Sequence, residues 1–150
     1  MHEHLLLEHQ LCFALYAATN AVTRAYREPL GELGLTYPQY LALLVLWERG
    51  SHTVKSVADA LQLDSSALTP LLKRLELAGW VNRTRDSGDE RVVRIELTVA
   101  GKALRRPVSA IQKVVACRTK LPQAEFVALR KQLHALAETM AEKEVPQAVT

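Results

Sequence analysis

Two cysteines and three of the four tyrosines are the residues of this 150-residue sequence whose types and spacing suggest redox chemistry. An α-helix turns about 100° per residue, so Tyr16 lies about 40° to one side of Cys12 and Tyr26 about 40° to the other. Tyr37 begins the next helix and can fold back toward this face. Phenol hydroxyls can donate hydrogen bonds to a thiolate, which is the reactive form of cysteine. The pattern leaves two interpretations open: an oxidisable thiol beside tyrosine donors, or an apolar dimer core.

The second cysteine, Cys117, lies far from Cys12 in the sequence. This spacing fits neither a metal knuckle nor the disulfide scaffold of a small secreted protein. In a reducing compartment, both thiols can also serve as small apolar side chains. Three histidines near the N-terminus, His2, His4 and His9, are more typical of a polar tail than of a metal site. We therefore expect no metal and no cofactor.

A second group of residues is suited to binding nucleic acid. The whole chain carries 19 Lys+Arg against 16 Asp+Glu, a net charge of only +3. Between positions 65 and 85, however, four cations face the single anion Glu76. In a helix-turn-helix the second helix enters the major groove, with its first residues near base edges. The candidate DNA contacts on that helix and the strand after it are Ser65, Ser66, Thr69, Lys73, Arg74, Arg83 and Arg85.

Asp89 and Arg91 flank the tip of the hairpin predicted after this helix. An arginine oriented by a nearby carboxylate is suited to entering the minor groove. A charged hairpin tip is also a common solvated surface, so the tip alone does not establish DNA binding.

The elements that must hold these residues follow from hydrophobic periodicity and turn residues. The pattern predicts a mainly α protein with a small β-hairpin wing. A winged helix-turn-helix core at about 36–97 is flanked by dimerisation helices at about 5–35 and 98–143, in one domain. Before the wing, the pattern predicts a helix over 5–30, a helix opened by Thr36 or Tyr37 with Pro38 in its first turn, and helices over 53–61 and 65–78. The wing strands are predicted over 80–85 and 91–97. After the wing, we expect a helix from Thr98 to about Lys120, kinked at Pro107, and a last helix from Pro122.

Composition narrows the class of protein further. Hydrophobic residues make up 49% of the chain and aromatic residues only 5%, which favours helices packed through small aliphatic side chains. The N-terminal stretch does not have the pattern of a signal peptide. The most apolar run, 40–47, is less than half of the roughly 20 residues that a membrane span needs. We expect a cytoplasmic protein without membrane contact.

The run from Thr53 to Gly101 resembles the MarR family of regulators. The resemblance rests on the tip residues Asp86, Asp89 and Arg91 and on the Leu97-Thr98…Gly101 sequence after the wing. It implies a homodimer on pseudo-palindromic double-stranded DNA, with the recognition helix in the major groove and the wing arginine in the minor groove.

Within that family, the chain resembles the organic-hydroperoxide-resistance regulators. The matching stretches are 10–16 (QLCFALY), 35–41 (LTYPQYL) and 44–48 (LVLWE). The resemblance implies that Cys12 is the sensing thiol, that Tyr26 and Tyr37 hydrogen-bond it, and that Tyr16 lies nearby. It further implies the two-cysteine type, in which Cys117 of the partner subunit forms a disulfide with oxidised Cys12 and DNA is released. The expected function is that of a repressor controlled by organic hydroperoxide.

Three other functions compete with this one. A thiol peroxidase is disfavoured because the chain has neither a thioredoxin-like βαβ pattern nor a Cys-x-x-Cys motif, so we expect no enzyme. A MarR-type repressor released by a non-covalent phenolic or drug-like ligand would leave Cys12 incidental. A DNA-independent interaction module would make no use of the basic residues.

Overall fold

The computed structural model describes residues 2–142. Over that range the chain is mainly helical, with one small antiparallel sheet, as predicted. Two short 3-10 turns precede the first α-helix. The elements in chain order are α1 (Leu11–Glu32), α2 (Tyr37–Arg49), β1 (His52–Thr53), α3 (Val54–Leu61), α4 (Ser65–Leu77), β2 (Val81–Arg85), β3 (Val93–Leu97), α5 (Val99–Ala103), α6 (Arg105–Arg118) and α7 (Gln123–Ala141).

The sheet has the order β1-β3-β2, and both pairings are antiparallel. The hairpin between β2 and β3 pairs Val81 with Leu97 and Arg85 with Val93, and β3 begins two residues later than the predicted strand 91–97. The prediction of two strands was incomplete, because His52 in β1 pairs with Ile95 on the other side of β3. Helices α3 and α4 together with this sheet form a winged helix-turn-helix.

Helix α2 lies at the centre of the core, as its apolar sequence predicts. Its start is fixed by a capping box: Gln39 N donates to Thr36 Oγ1 over 3.4 Å, and Thr36 N donates to Gln39 Oε1 over 3.0 Å. Its buried residues Leu43 and Leu46 belong to the same hydrophobic cluster as the buried face of α4. The recognition helix α4 therefore packs on the core and turns its other face outward.

Gly79 ends α4 in a left-handed conformation, with φ of 83°. Trp80 N donates to Leu75 O and Gly79 N donates to Glu76 O, each over 3.0 Å. These two bonds close the Schellman motif that ends many helices, and the glycine allows the positive φ without strain. The motif sets the direction in which the chain leaves α4 and enters β2.

The long helix predicted from Thr98 to about Lys120 is interrupted at Leu104. Thr98 caps α5, as predicted, by accepting a 3.0 Å bond from Gly101 N. The break lies upstream of Pro107 because a proline ring clashes with the carbonyl four residues earlier, here that of Ala103. The predicted kink exists, but it lies one turn earlier than expected.

The first helix is shorter than predicted, since it begins at Leu11 rather than near Leu5. It continues through Pro29, yet only Tyr26 and Leu30 in its last two turns are buried. Within residues 2–142, positions 2–115 form one compact unit and positions 116–142 another. The second unit contains α7, which buries none of its residues. The predicted C-terminal flank reaches position 143, which lies outside the described residues. Among the described helices, none is long and apolar enough to cross a membrane.

Candidate DNA interface and thiol site

The first turns of α4 present short polar side chains to solvent. Ser65, Ser66 and Thr69 are exposed, and the Thr69 hydroxyl donates a 2.9 Å bond to Ser65 O. Lys73 and Arg74 are exposed further along the same helix. The predicted major-groove contacts thus lie on one exposed helix whose opposite face is anchored in the core.

At the wing tip, a carboxylate orients an arginine as the sequence predicts. Asp89 Oδ1 accepts from Arg91 N over 3.0 Å and from Arg91 Nε over 3.4 Å. The Arg91 side chain is nevertheless 94% exposed, so Asp89 fixes its orientation without burying it. Because the pair is so exposed, it contributes little to stability by itself. Its position suits an arginine that inserts into a groove of DNA.

Two further bonds hold the tip, and one of them involves a predicted DNA contact. Arg85 Nη1 donates to Glu90 O over 3.0 Å, so this guanidinium is engaged with the hairpin itself. Arg94 Nε lies 3.4 Å from Asp86 Oδ2, an ion pair that the sequence interpretation missed. The tip is therefore braced by a second arginine–carboxylate pair one step behind Asp89 and Arg91.

The end of α4 is joined directly to the start of α5. Thr98 Oγ1 donates to Gly79 O over 2.6 Å, and Thr98 N donates to Trp80 O over 3.1 Å. Gly101 is buried so close to Trp80 that a Cβ atom at position 101 would overlap the Trp80 carbonyl oxygen. Trp47 of α2 donates its indole Nε1–H to Gly101 O over 2.9 Å. Three helices thus meet at one glycine, and hydrogen bonds join α5 to α2 and to the end of the recognition helix.

The thiol of Cys12 lies exposed in the first turn of α1. The phenol of Tyr26, fourteen residues later in the same helix, is about 21 Å away along the axis, because each residue adds about 1.5 Å. The shared helix face inferred from spacing is real, but it does not bring the two groups together within one chain. Tyr16 lies one turn from Cys12 and is 66% exposed. In the other compact unit, Cys117 is exposed in the last turn of α6.

The tyrosine hydroxyls form a cluster at the far end of α1. The ring centroids of Tyr26 and Tyr37 are 5.5 Å apart, and Tyr40 stacks on Tyr26 at 5.0 Å with an interplanar angle of 26°. Burial, with a smaller effect of Tyr26, raises the pKa of Tyr37 above its usual value. Burial and the neighbouring Tyr26 hydroxyl raise the pKa of Tyr40 still further. Tyr37 and Tyr40 therefore stay protonated at neutral pH and can donate hydrogen bonds.

Tyr40 was missed by the sequence interpretation, although its spacing of three from Tyr37 puts both on one helix face. It also lines a cavity of about 540 Å³ between α2 and α6. The walls include the apolar side chains of Leu44, Trp47 and Val108, and Arg105 and Glu48 supply charge. A cavity of this size and mixed lining is suited to a small amphipathic molecule.

The exposed recognition helix and the braced arginine at the wing tip define a winged-helix DNA-binding protein. A model described as the MarR family matches residues 35–93, and the chain belongs to this family. It is a DNA-binding transcriptional regulator of the organic-hydroperoxide-resistance type, as the resemblance implied. The supporting similarity is to the organic hydroperoxide resistance transcriptional regulator of Bacillus subtilis, with 43% identity over 141 residues, covering 94% of this chain and 96% of that protein.

Two other known proteins agree with this assignment. The regulator TtmR of Methylorubrum extorquens is 47% identical over 138 residues, covering 87% of this chain and 71% of that protein. The crystal structure of AbfR of Staphylococcus epidermidis superposes with a TM-score of 0.73 at 35% identity, covering 91% of this chain and 95% of that one. AbfR has also been solved in a reduced state bound to DNA, where the TM-score is 0.74, and in a disulfide-formed state.

Proposed function

We propose that this chain is a cytoplasmic homodimeric repressor that releases its operator when an organic hydroperoxide oxidises Cys12. The proposal rests on the distance along α1 between Cys12 and Tyr26. An exposed thiol stands at one end of the helix, and a cluster of tyrosine rings lies near the other end, about 21 Å further along the axis. The two ends meet if a second copy of the chain runs antiparallel, so that Tyr26 and Tyr37 of the partner subunit donate to Cys12.

Unburied apolar side chains support the dimer. Leu11, Phe13 and Tyr16 are exposed on the first turns of α1, and Leu129 and Leu133 are exposed on α7. A long helix gains most of its stability from packing its apolar face, and within their own compact units these side chains remain exposed. Burial against a second copy supplies the missing contact.

The proposed chemistry balances in two steps. The Cys12 thiolate attacks the outer oxygen of the hydroperoxide, the O–O bond breaks, and the alkoxide leaves with a proton as the alcohol. Cys12 is then a sulfenic acid. The Cys117 thiol of the partner subunit attacks its sulfur, water leaves, and a disulfide forms. The peroxide is reduced by two electrons, which the two thiols supply together.

The disulfide releases DNA by moving the helices that carry the recognition helices. A disulfide requires Cα atoms within about 7 Å. A dimer with two recognition helices fits half-sites about 34 Å apart along the duplex, so a shift of a few ångströms between subunits breaks the match. The disulfide-formed state solved for AbfR shows that a relative of this chain can form a disulfide, which supports this step of the proposal.

The residues proposed to bind operator DNA lie on α4 or on the wing, and all of them except the half-buried Arg83 are exposed. They are Ser65, Ser66, Thr69, Lys73, Arg74, Arg83, Arg85, Asp89 and Arg91. Asp89 acts by orienting Arg91, and the hydrogen bond of Arg85 to Glu90 assigns it a bracing role beside any phosphate contact.

The test compares operator binding by the wild-type protein and by Cys12→Ser before and after one equivalent of organic hydroperoxide, with non-reducing electrophoresis in parallel. We expect the wild type to release DNA and form a thiol-reversible dimer band, while Cys12→Ser stays bound. Release of DNA from Cys12→Ser by the same dose would contradict thiol sensing.

A second candidate function is release by a non-covalent phenolic or drug-like ligand. The cavity beside Tyr40 favours it, because apolar walls that also carry Arg105 and Glu48 suit a small amphipathic molecule. Under this function both proteins in the same assay would ignore peroxide, and a small aromatic acid such as salicylate would release DNA from both.

A further inference from the structure

A groove separates the recognition helix from the wing, and Lys55, which the sequence did not single out, lines it beside residues predicted to bind DNA. It encloses about 550 Å³. Three elements supply its walls: the start of α3, the first turns of α4, and the strands of the wing. The polar residues that line it are Thr53, Lys55, Ser65, Thr69, Arg83 and Arg91.

The groove carries three cations, and its lining includes no carboxylate. Arg91 forms an ion pair with Asp89, whereas Lys55 and Arg83 make no ion pair within 4.0 Å among the described residues. Glu76 lies near Arg83 but accepts from its main-chain N over 3.0 Å rather than from its guanidinium. Two cations from separate elements thus face the same open space without a counter-charge.

The hydroxyl of Thr53 completes a set of donors. Its oxygen accepts a 3.0 Å bond from Ser56 N as the cap of α3, so the hydroxyl hydrogen is free to point into the groove. A cradle of two cations and a hydroxyl, open along its length, suits a phosphodiester anion, because cationic donors form their strongest hydrogen bonds with charged oxygens.

The placement of the groove indicates which phosphodiester it holds. In duplex DNA a sugar–phosphate strand separates each major groove from the adjacent minor groove. A protein with α4 in one groove and Arg91 in the next must straddle that strand. On this protein, the surface between α4 and Arg91 is the groove that Lys55 and Arg83 line.

We propose that this groove binds the sugar–phosphate strand that runs between α4 and Arg91, with Lys55 and Arg83 each neutralising a phosphate. The proposal rests on DNA binding by the winged helix and is independent of thiol oxidation. Its contribution to affinity is the same for any sequence, whereas α4 and Arg91 select the operator. Lys55 thereby joins the DNA interface although it precedes the recognition helix.

The experiment measures the affinity of the reduced protein for its operator and for an unrelated duplex, each over a range of salt concentrations. The variants are Lys55→Gln, Arg83→Gln and the double variant, with Lys102→Gln on α5 as a charge-matched control. Glutamine at position 83 keeps the main-chain bond to Glu76. Thermal unfolding of each variant verifies the fold.

Each groove variant should weaken binding to both duplexes by the same factor. The slope of log affinity against log salt should fall in magnitude by about 0.9 per half-site, or about twice that for a dimer on two half-sites. The double variant should show the sum, and Lys102→Gln should keep the wild-type slope. Three results would each overturn the proposal. They are an unchanged slope in the double variant, a loss of affinity confined to the operator, and an equal effect of Lys102→Gln. A wild-type protein that binds neither duplex would instead overturn DNA binding itself.

Discussion

Trp47 in α2 donates its indole hydrogen to the carbonyl oxygen of Gly101, 54 positions further along the chain, over 2.9 Å. This bond joins the helix that carries the phenols Tyr37 and Tyr40 to the first turn of α5. The same turn is joined through Thr98 to Gly79 at the end of α4. The tyrosine cluster and the recognition helix are therefore connected through two hydrogen-bonded contacts.

Replacing Trp47 by Phe should lower the free energy of unfolding by about 1 kcal/mol, because the ring is mostly kept while a half-buried hydrogen bond is lost. Denaturant unfolding measures the change. Trp80→Phe is a matched control, since the buried Trp80 Nε1 has no partner among the described residues. An equal loss in both variants would show that ring volume, not the bond, decides the result.

Gly101→Ala should destabilise the protein by about 2 kcal/mol or more, because the new methyl group must displace the Trp80 main chain. Gly31→Ala, in α1, meets no atom within 4 Å and should instead be neutral or stabilising by up to about 1 kcal/mol. Thermal unfolding of the two variants distinguishes crowding from helix propensity. A harmless Gly101→Ala would contradict the close approach of α5 to Trp80.

Arg91→Ala should weaken operator binding by about 1–3 kcal/mol, or roughly five- to 150-fold, while thermal unfolding stays unchanged because the side chain is exposed. Asp89→Ala should cause a smaller loss, since the arginine remains but is no longer held. Wild-type affinity in Arg91→Ala would remove the wing tip from DNA recognition.

The buried phenols predict a loss of stability in alkali. The pKa of Tyr40 is raised in the folded protein, whereas in the unfolded chain the same hydroxyl ionises near pH 10. Above about pH 10 the unfolded state therefore binds fewer protons, and the free energy of unfolding falls as pH rises. Tyr40→Phe should flatten this fall, and Tyr16→Phe, which removes an exposed phenol, should not. Unfolding measured between pH 9 and 11 provides the test; parallel curves for wild type and Tyr40→Phe would refute it.

Cys117→Ser should leave Cys12 open to oxidation but prevent the intersubunit disulfide. A sulfenic-acid probe should label the variant after peroxide treatment, while non-reducing electrophoresis shows no dimer band. A normal crosslink in Cys117→Ser would exclude a resolving role for this cysteine.

Local signals in the sequence were enough to predict the winged helix. Thr36 and Pro38 set the start of α2, Gly79 ends α4, and the alternating residues of the wing predict two paired strands. Each of these is decided by neighbouring residues, so a single sequence contains the necessary information.

Features set by contacts at a distance were missed. Strand β1 has only two residues and exists because β3 pairs with it. The helix break at Pro107, whose cause is local, was predicted, and only its position at Leu104 differs. For the thiol site, a helical wheel gives the angle between Cys12 and Tyr26 but not their separation along the axis. Only the continuous helix from Leu11 to Glu32 reveals that separation.

The length of α1 has a consequence for how the proposed sensor behaves in solution. On the proposed mechanism the thiol and the phenols that activate it belong to different copies, so a lone chain has both parts and cannot use them. Newly synthesised chains, and dimers that dissociate on dilution, would react with hydroperoxide only as slowly as an ordinary exposed thiol. The peroxide response would then rise with the fraction of chains that are paired, which ties the sensitivity of the switch to the concentration of the regulator.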